Sequence, residues 1–323
     1  MILIYSNKND SSTITVCKWL DCFNIKYYIL FFDEIISKDF NLTIDNNTIK
    51  IKDANSEITL SEQNISGVWY RKYNTNPKEL ARELRELHPS LNKYIKQELN
   101  GLYTVFFDFF NIKKQLGSFD DRIFSKIYQL KCALSIGLDI PNTTILNTLN
   151  LLIKVKNAHR NIITKSITDP PDFTGKKYFA STLTSRIEDI TKISDNFMPS
   201  LVQKEISKLY EIRTFYLNKK FYSSAIFSQN DKQTVIDLRN YNYDKPNRVV
   251  PYNLPKLICE KLIKLFAKLN INTGSVDMIK STDNKYYFLE INPSGIFEEY
   301  SVNCNYYLEK QIALYFSKNY EKN

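Results

Sequence analysis

Two carboxylates and an amide near the end of the chain carry its clearest chemical signal. Gly274-Ser275-Val276-Asp277-Met278-Ile279 and Tyr286-Tyr287-Phe288-Leu289-Glu290-Ile291-Asn292-Pro293 read as the arms of a β-hairpin. Asp283-Asn284 is the expected turn, because Asn tolerates the left-handed conformation. A two-residue turn pairs Thr282 with Lys285. It then sets Lys280 against Tyr287, Met278 against Leu289 and Val276 against Ile291 on one largely apolar face. The Lys280 ammonium is expected to reach water past its apolar stem. The other face sets Asp277 opposite Glu290 and Ser275 opposite Asn292. Directly opposed side chains have Cβ atoms about 4.5–5.5 Å apart, where like charges repel. Such a pair suits either a solvated acidic face or a bound cation. Oxygen donors alone, an amide among them, favour Mg²⁺ or Mn²⁺ over zinc.

Other chemistries find little support. The chain holds only 2 histidines, His88 and His159, and its 5 cysteines form no C-x-x-C pair. Zinc and disulfide frameworks are therefore poorly supported, and the thiols are expected to be buried and inert in a reducing compartment. No Ser-His-Asp or Cys-His set supplies a hydrolytic nucleophile. The formal net charge is +9. That excess fits an anionic partner, or a plain abundance of scattered lysines, without any basic run of the DNA-arm type. No apolar stretch approaches a membrane span, and MILIYSNKND lacks the features of a signal peptide, so a cytoplasmic protein without membrane contact is expected.

The hairpin needs elements to position it. With 7 glycines and 10 prolines among 323 residues, the chain offers neither a long linker nor a low-complexity segment. Residues 2–6, a helix capped by Ser11 or Ser12, and Lys26–Phe32 form a β-α-β start, followed by short strands near 48–52, 57–60 and 67–71. Pro77 opens a helical region in which Leu80, Leu84, Leu87, Leu91, Ile95 and Leu99 recur at spacings of three and four. Gly117-Ser118 breaks it, and a domain boundary is expected near 115. Asp121 starts a helix closed by Gly137 at C′. Strands are expected at 143–147, 161–166, 178–184, 200–206, 211–218 and 220–229. Helices are expected at 148–157, 256–269 and from 305, with a loop at 167–176. The fold class is α/β (α+β).

On these residues the chain resembles the ATP-grasp ligases. Their metal-binding end is similar to the two hairpin segments quoted above. Phe124-Ser125-Lys126-Ile127-Tyr128-Gln129-Leu130, followed by Gly137-Leu138-Asp139-Ile140-Pro141, is similar to the entry into their nucleotide domain. The resemblance implies an ATP-grasp fold with an N-terminal pre-ATP-grasp α/β domain over 1–115, an N-lobe over 116–199 and a C-lobe over 200–323. It implies ATP as cofactor and two Mg²⁺ ions, with Mn²⁺ as a substitute, held by Asp277, Glu290 and Asn292. Lys126 and Lys165 would reach phosphate, where a compact ammonium suits an oxygen. Gln203 would meet the adenine amine, and the backbone of Lys204, Glu205 and Ile206 the ring. Glu211 would meet the ribose hydroxyls and Arg213 the terminal phosphate. The family's glycine-rich lid has one glycine here, Gly175, with Thr182 and Thr184 as hydroxyl donors in its place.

Within that family, Val68-Trp69-Tyr70-Arg71, Lys208-Leu209-Tyr210-Glu211-Ile212-Arg213, Pro251-Tyr252-Asn253-Leu254-Pro255 and Cys304-Asn305-Tyr306-Tyr307-Leu308-Glu309 resemble the graspetide-maturing ligases of the microviridin and plesiocin type. The grasp-with-SPASM group, encoded beside a radical SPASM enzyme, is the nearest in pattern. The resemblance implies an ATP-dependent ligase that activates Asp or Glu side chains of a ribosomal precursor peptide, made of leader and core, and closes ester or amide macrocycles. Arg239 and Arg248 are expected to hold substrate carboxylate. Homodimers are common in that family. One alternative is a glutathione-synthetase-like or ribosomal-protein-glutamate-ligase-like enzyme that joins amino acids or extends a protein tail. Another is a basic, aromatic-rich nucleic-acid-binding protein, against which the aromatics falling inside expected strands and helices count.

Overall fold

The computed structural model describes residues 1–31, 35, 40–52, 57–72, 89–109, 114–118, 121–168, 173–175, 178–180 and 183–317. It divides into two compact units, Met1–Phe119 with Tyr307–Asn323, and Asp120–Tyr306.

The first unit begins with β1 (Ile2–Ser6), every residue of which is buried. Such a run suits a strand covered on both faces of a parallel sheet. The next elements are α1 (Ser11–Cys22), β2 (Tyr27–Phe31), β3 (Asn41–Ile44), β4 (Ile49–Lys52), β5 (Glu57–Leu60), β6 (Gly67–Tyr70), α2 (Pro89–Asp108) and β7 (Gln115–Leu116). β2-β1-β6-β7 form one sheet and β3-β4-β5 a separate meander. The cap of α1 is Asp10 rather than either serine: its carboxylate accepts from Thr13 N. The same carboxylate also takes Arg71 Nε at 3.0 Å and Lys72 Nζ at 2.8 Å. Tyr5 stacks on Tyr70 with ring centroids 5.4 Å apart and donates to Phe106 O. Leu91, Ile95 and Leu99 belong to α2, whereas Pro77, Leu80, Leu84 and Leu87 lie outside the described residues. Cys17, Cys132 and Cys304 are buried as expected, but Cys22 is exposed at the end of α1.

The second unit starts with a single 3₁₀ turn at Asp121–Phe124. The α-helix expected from Asp121 begins only at α3 (Lys126–Ser135), where Ser125 accepts from Tyr128 N. Gly137, at φ +81, ends it in the left-handed conformation expected of a C′ residue. β8 (Thr143–Thr148), α4 (Leu149–Ala158), β9 (Ile162–Lys165), β10 (Phe173–Gly175), β11 (Tyr178–Ala180), β12 (Ser185–Arg186) and β13 (Asn196–Lys204) follow. β12-β9-β13-β8 form a four-stranded antiparallel sheet, with β10 and β11 a separate two-stranded ribbon. β14 (Lys208–Leu217), β15 (Lys220–Phe227), β16 (Arg248–Tyr252), α5 (Lys256–Lys268), β17 (Thr273–Ser281), β18 (Tyr286–Asn292) and α6 (Glu298–Asn303) complete the unit. The larger sheet runs β16-β15-β14-β17-β18. Its helix-covered face carries Ile212, Val276, Met278, Phe288 and Ile291 against Leu262, Leu265 and Phe266 of α5. The chain then returns to the first unit, where α7 (Leu308–Tyr315) packs on α1. Residues from 307 onward, expected in the last lobe, therefore group with the first unit.

The hairpin departs from its expected register in an informative way. Ser281 N donates to Lys285 O, and Asn284 alone takes φ +66, so the loop has three residues, 282–284, not two. Met278 therefore faces Phe288, Ile279 faces Tyr287 and Lys280 faces Tyr286. A β-bulge between Asp277 and Met278 then restores the expected pairs: Asp277 with Glu290, Val276 with Ile291 and Ser275 with Asn292. The extra residue is Leu289, which turns away from the core, and Phe288 takes the buried place expected for it. Lys280 does not reach water either. It is 7% exposed, donates to Asn284 O and lies 4.0 Å from the Tyr286 ring centroid.

Candidate functional site

Side-chain alternation gives the larger sheet a polar face opposite its core face. Glu211 and Arg213 from β14, Asp277 from β17, and Glu290 and Asn292 from β18 all line one cavity of about 320 Å³. The bulge adds Leu289 to this lining, since it puts two consecutive residues, Leu289 and Glu290, on the same side. The smaller sheet contributes Lys165 from the end of β9, and Gln203 and Lys204 from the end of β13. Lys126, the first residue of α3, enters from one side and Arg239 from the segment after β15. The expected site residues thus converge, all but two. Glu205, expected through its backbone, is not among the lining residues, and its carboxylate is turned to Arg186, which holds it through bonds of 2.7 and 2.5 Å. Arg248 is exposed at the start of β16, 5.6 Å from the Phe227 ring centroid.

Ion pairs organise the cavity. Arg213 Nε and Nη2 donate to the two Asp277 oxygens at 2.6 and 2.7 Å, a bidentate pair between direct cross-strand neighbours. Burial alone works against the Arg213 charge, but the Asp277 carboxylate outweighs it and lifts the guanidinium above its ordinary value. The Tyr300 ring centroid lies 5.3 Å from Arg213 Cζ. Burial pushes the Tyr300 hydroxyl up to about 12 despite that cation. Lys126 Nζ stands 3.3 Å from Glu290 Oε2. That contact lacks hydrogen-bonding geometry, and Glu290 Oε2 is buried without a hydrogen-bond partner among the described residues. Burial lowers the Lys165 pKa, opposed by Glu290 and reinforced by Lys126 and Arg239.

Asp237 and Arg239 form a second fork. Arg239 Nη2 meets Asp237 Oδ2 at 2.6 Å, and Thr184 N donates to the same oxygen at 2.8 Å. Thr184 thus supplies a backbone donor where a hydroxyl was expected, and Thr182 lies outside the described residues. Burial raises the Asp237 pKa, but the Arg239 hydrogen bonds prevail and hold it at about 2. The hydrogen bonds to Asp237 raise Arg239 in turn. Glu211 accepts from Lys208 Nζ at 2.9 Å and from Ser228 Oγ at 2.8 Å, both on Oε1. Gln203 is buried and donates to Thr143 Oγ1 at 2.7 Å. The Lys204 and Glu205 N–H groups are taken by Asn142 O and Asn161 O, so a ligand at this edge has Ile206 and the carbonyls to meet.

The oxygen donors fit a hard cation. Two carboxylates face each other across the β17–β18 ladder, Asn292 adds an amide oxygen, and the buried Glu290 Oε2 lacks the hydrogen bond that burial demands. No group of three or more His, Cys, Asp and Glu that could hold a metal ion occurs among the described residues. No described helix is long and apolar enough to cross a membrane.

Asp237 and Lys208 are not among the site residues expected from sequence, and Leu289 is expected on the apolar face opposite Met278 rather than in the cavity. Lys208 pairs with Glu211 of its own strand and with Ile236 O, Asp237 pairs with Arg239 two residues on and with Thr184 N, and Leu289 faces the cavity only because of a bulge that alternation does not foresee.

No family model matches the chain. A BEACH domain-containing protein of Dictyostelium discoideum is 26% identical over 121 residues, which cover 38% of this chain and 3% of that protein. So short a share of the relative carries no functional conclusion. Solved structures match along nearly the full length. A Chryseobacterium gregarium RiPP-associated ATP-grasp ligase, in complex with ADP and a leader and core peptide, is 24% identical at a TM-score of 0.82, covering 98% of this chain and 94% of its own. The macrocyclase MdnC of Microcystis aeruginosa MRC, bound with the precursor peptide MdnA, is 23% identical at a TM-score of 0.80, covering 97% of each. The D-alanyl-alanine synthetase A of Vibrio cholerae is 12% identical at a TM-score of 0.60, covering 100% of this chain and 98% of its own. The fold is that of the ATP-grasp ligases.

Proposed function

We propose that this chain, with its ATP-grasp fold, is an ATP-dependent ligase that activates side-chain carboxylates of a ribosomal precursor peptide and closes ester or amide rings on it. The observation that carries the reading is the convergence on one cavity of Lys126, Lys165 and Arg213 with Asp277, Glu290 and Asn292. Cations for phosphate and oxygen donors for a hard metal meet there. The peptide follows from two of the similar structures, which hold a leader and core peptide and a precursor peptide.

Asp277, Glu290 and Asn292 would hold Mg²⁺. Bound there, the metal supplies Lewis-acid neutralisation of phosphate charge. Lys165 and Arg213 aim further positive charge at a transferring phosphoryl group, the usual protein contribution to such a reaction. Gln203, Ile206 and Leu289 form an adenine slot, and Glu211 meets the ribose. Arg239, fixed by Asp237, holds the substrate carboxylate. That carboxylate oxygen attacks the γ-phosphorus of ATP, ADP leaves, and an acyl phosphate forms. A hydroxyl or amine of the same peptide then attacks the acyl carbon, phosphate leaves with the acyl C–O bond pair, and one water mass is lost per ring. The precursor peptide's carboxylates suit the chain's excess of 44 Lys and Arg over 35 Asp and Glu.

The test combines the protein, Mg²⁺, ATP and an acidic, Thr/Ser-bearing precursor peptide, encoded nearby with or without a radical SPASM enzyme. Loss of one water mass per crosslink with stoichiometric ADP supports the reading. ATP consumption with an unchanged peptide, or peptide modification that persists without ATP, overturns it.

A further inference from the structure

We infer that Gln129 is a positioning residue that fixes the spacing of Glu290 and Asn292. β18 is the outer strand of the larger sheet, so one row of its backbone groups has no neighbouring strand. Gln129, one turn into α3 and 1% exposed, takes the place of that strand. Its Nε2 donates to Ile291 O at 2.7 Å, and its Oε1 accepts from Ile291 N at 2.7 Å. The second Nε2 hydrogen goes to Ile123 O at 2.5 Å. Both donors and an acceptor are thereby used in one orientation; a flipped amide would set its oxygen against two carbonyls.

Ile291 is the residue between Glu290 and Asn292, and its own side chain is buried in the core. Gripping its N–H and C=O therefore fixes the peptide planes from which both oxygen donors project. The same edge is held on the far side of the bulge by Asp139 O, which accepts from Phe288 N at 2.8 Å. The bulge that turns Leu289 and Glu290 together into the cavity is thus clamped at both ends. Lys126, three residues before Gln129, meets the Glu290 carboxylate from the same helix. Helix α3 therefore sets both the backbone and the charged tip of this donor.

The inference rests on Glu290 and Asn292 holding the metal, and the experiment separates the two claims. Mn²⁺ is titrated into the full chain with saturating ADP, and free Mn²⁺ is read by electron paramagnetic resonance. Gln129→Met conserves volume and removes all three hydrogen bonds. Gln129→Asn keeps the amide but falls one methylene short, and serves if the first variant does not fold. Thermal melts in EDTA establish that each variant is folded. Both variants are expected to weaken Mn²⁺ binding by about 10- to 100-fold, as lost outer-shell support does, with ADP binding in EDTA retained. Wild-type Mn²⁺ affinity in a folded Gln129 variant, whatever its melting temperature, reduces Gln129 to a core amide and overturns the inference. A wild-type chain that binds no Mn²⁺ with ADP, or a Glu290→Ala variant that binds it fully, overturns the metal reading itself.

Discussion

Arg213 and Asp277 are cross-strand neighbours joined by two N–H···O bonds, and each is also a residue the proposed reaction needs elsewhere. The pair keeps a cation and a carboxylate satisfied in the half-buried cavity. Removing one member leaves the other short of its partner, which costs ~1–3 kcal/mol. Asp277→Ala is therefore expected to lower stability by about that amount in urea melts and ADP formation by about 100-fold or more. Joining Arg213→Met to Asp277→Leu should recover the stability without the turnover. Turnover recovered along with stability would place the chemistry elsewhere.

Lys165 links nucleotide affinity to pH. Burial lowers its pKa in the ligand-free protein, and a phosphate beside it would favour the charged form again. Nucleotide binding should therefore take up a proton on the alkaline side, and affinity should fall as pH rises through the lowered value, below the ordinary 10.5. Calorimetry in buffers of different ionisation enthalpy reads the uptake directly. Lys165→Met should abolish it; uptake that persists in that variant assigns the proton to another group.

Asp10 and Asp237 make stability fall in acid. Each is buried, which alone would raise its pKa, and each is held below 3.8 by an arginine and hydrogen bonds, Asp237 at about 2. A carboxylate with a depressed folded pKa stabilises the protein above its unfolded pKa and loses that contribution as pH falls through the folded value. Stability should thus drop below about pH 4 and continue to drop towards pH 2. Asp10→Asn removes a charge partner of Arg71 and Lys72, so it should cost stability at pH 7 and flatten the acid limb. An unchanged limb would assign the acid sensitivity to other groups.

Much of the site was legible in the sequence, and for a definite reason. Asp277, Glu290 and Asn292 were readable because alternation is local and the two arms of a hairpin are close in the chain. The turn is one residue longer than Asp283-Asn284 suggests, and the bulge at Leu289 offsets that residue before the register reaches Asp277 and Glu290. Strand β3 and strand β16 were not foreseen, since Asn41–Ile44 is short and Arg248–Tyr252 carries Pro251. Gln129 was hidden for another reason. Its partner Ile291 lies 162 residues away, and nothing in FSKIYQL distinguishes a backbone clamp from an ordinary helical glutamine.

The two arginines expected to hold substrate now separate. Arg239 lines the cavity and is oriented by Asp237, whereas Arg248 is exposed on β16. Arg239→Ala should raise KM for the carboxylate peptide, and Arg239→Lys should not restore it, because an ammonium lacks the planar fork that Asp237 grips. Arg248→Ala should leave both kcat and KM near wild type. Equal losses in the two alanine variants would mean that the peptide reaches well past the cavity.

Gly295 tests how closely the donor strand must approach its neighbour. A Cβ at this position would lie 2.5 Å from Ser275 Cβ and closer still to Ser275 Oγ, and 3.0 Å from Asn292 O. Real side chains do not tolerate the first two contacts, so Gly295→Ala must push the Asn292–Gly295 turn away from β17. Asn292 would then move relative to Asp277, and half-saturating Mg²⁺ for ADP formation should rise. Ser275→Gly removes the Oγ and Cβ that cause the conflict, so the Ser275→Gly/Gly295→Ala pair should regain most of the Mg²⁺ affinity. The remaining 3.0 Å approach to Asn292 O explains why recovery should stop short of wild type. A Gly295→Ala variant with unaltered Mg²⁺ dependence would show that the position of Asn292 does not set the metal site.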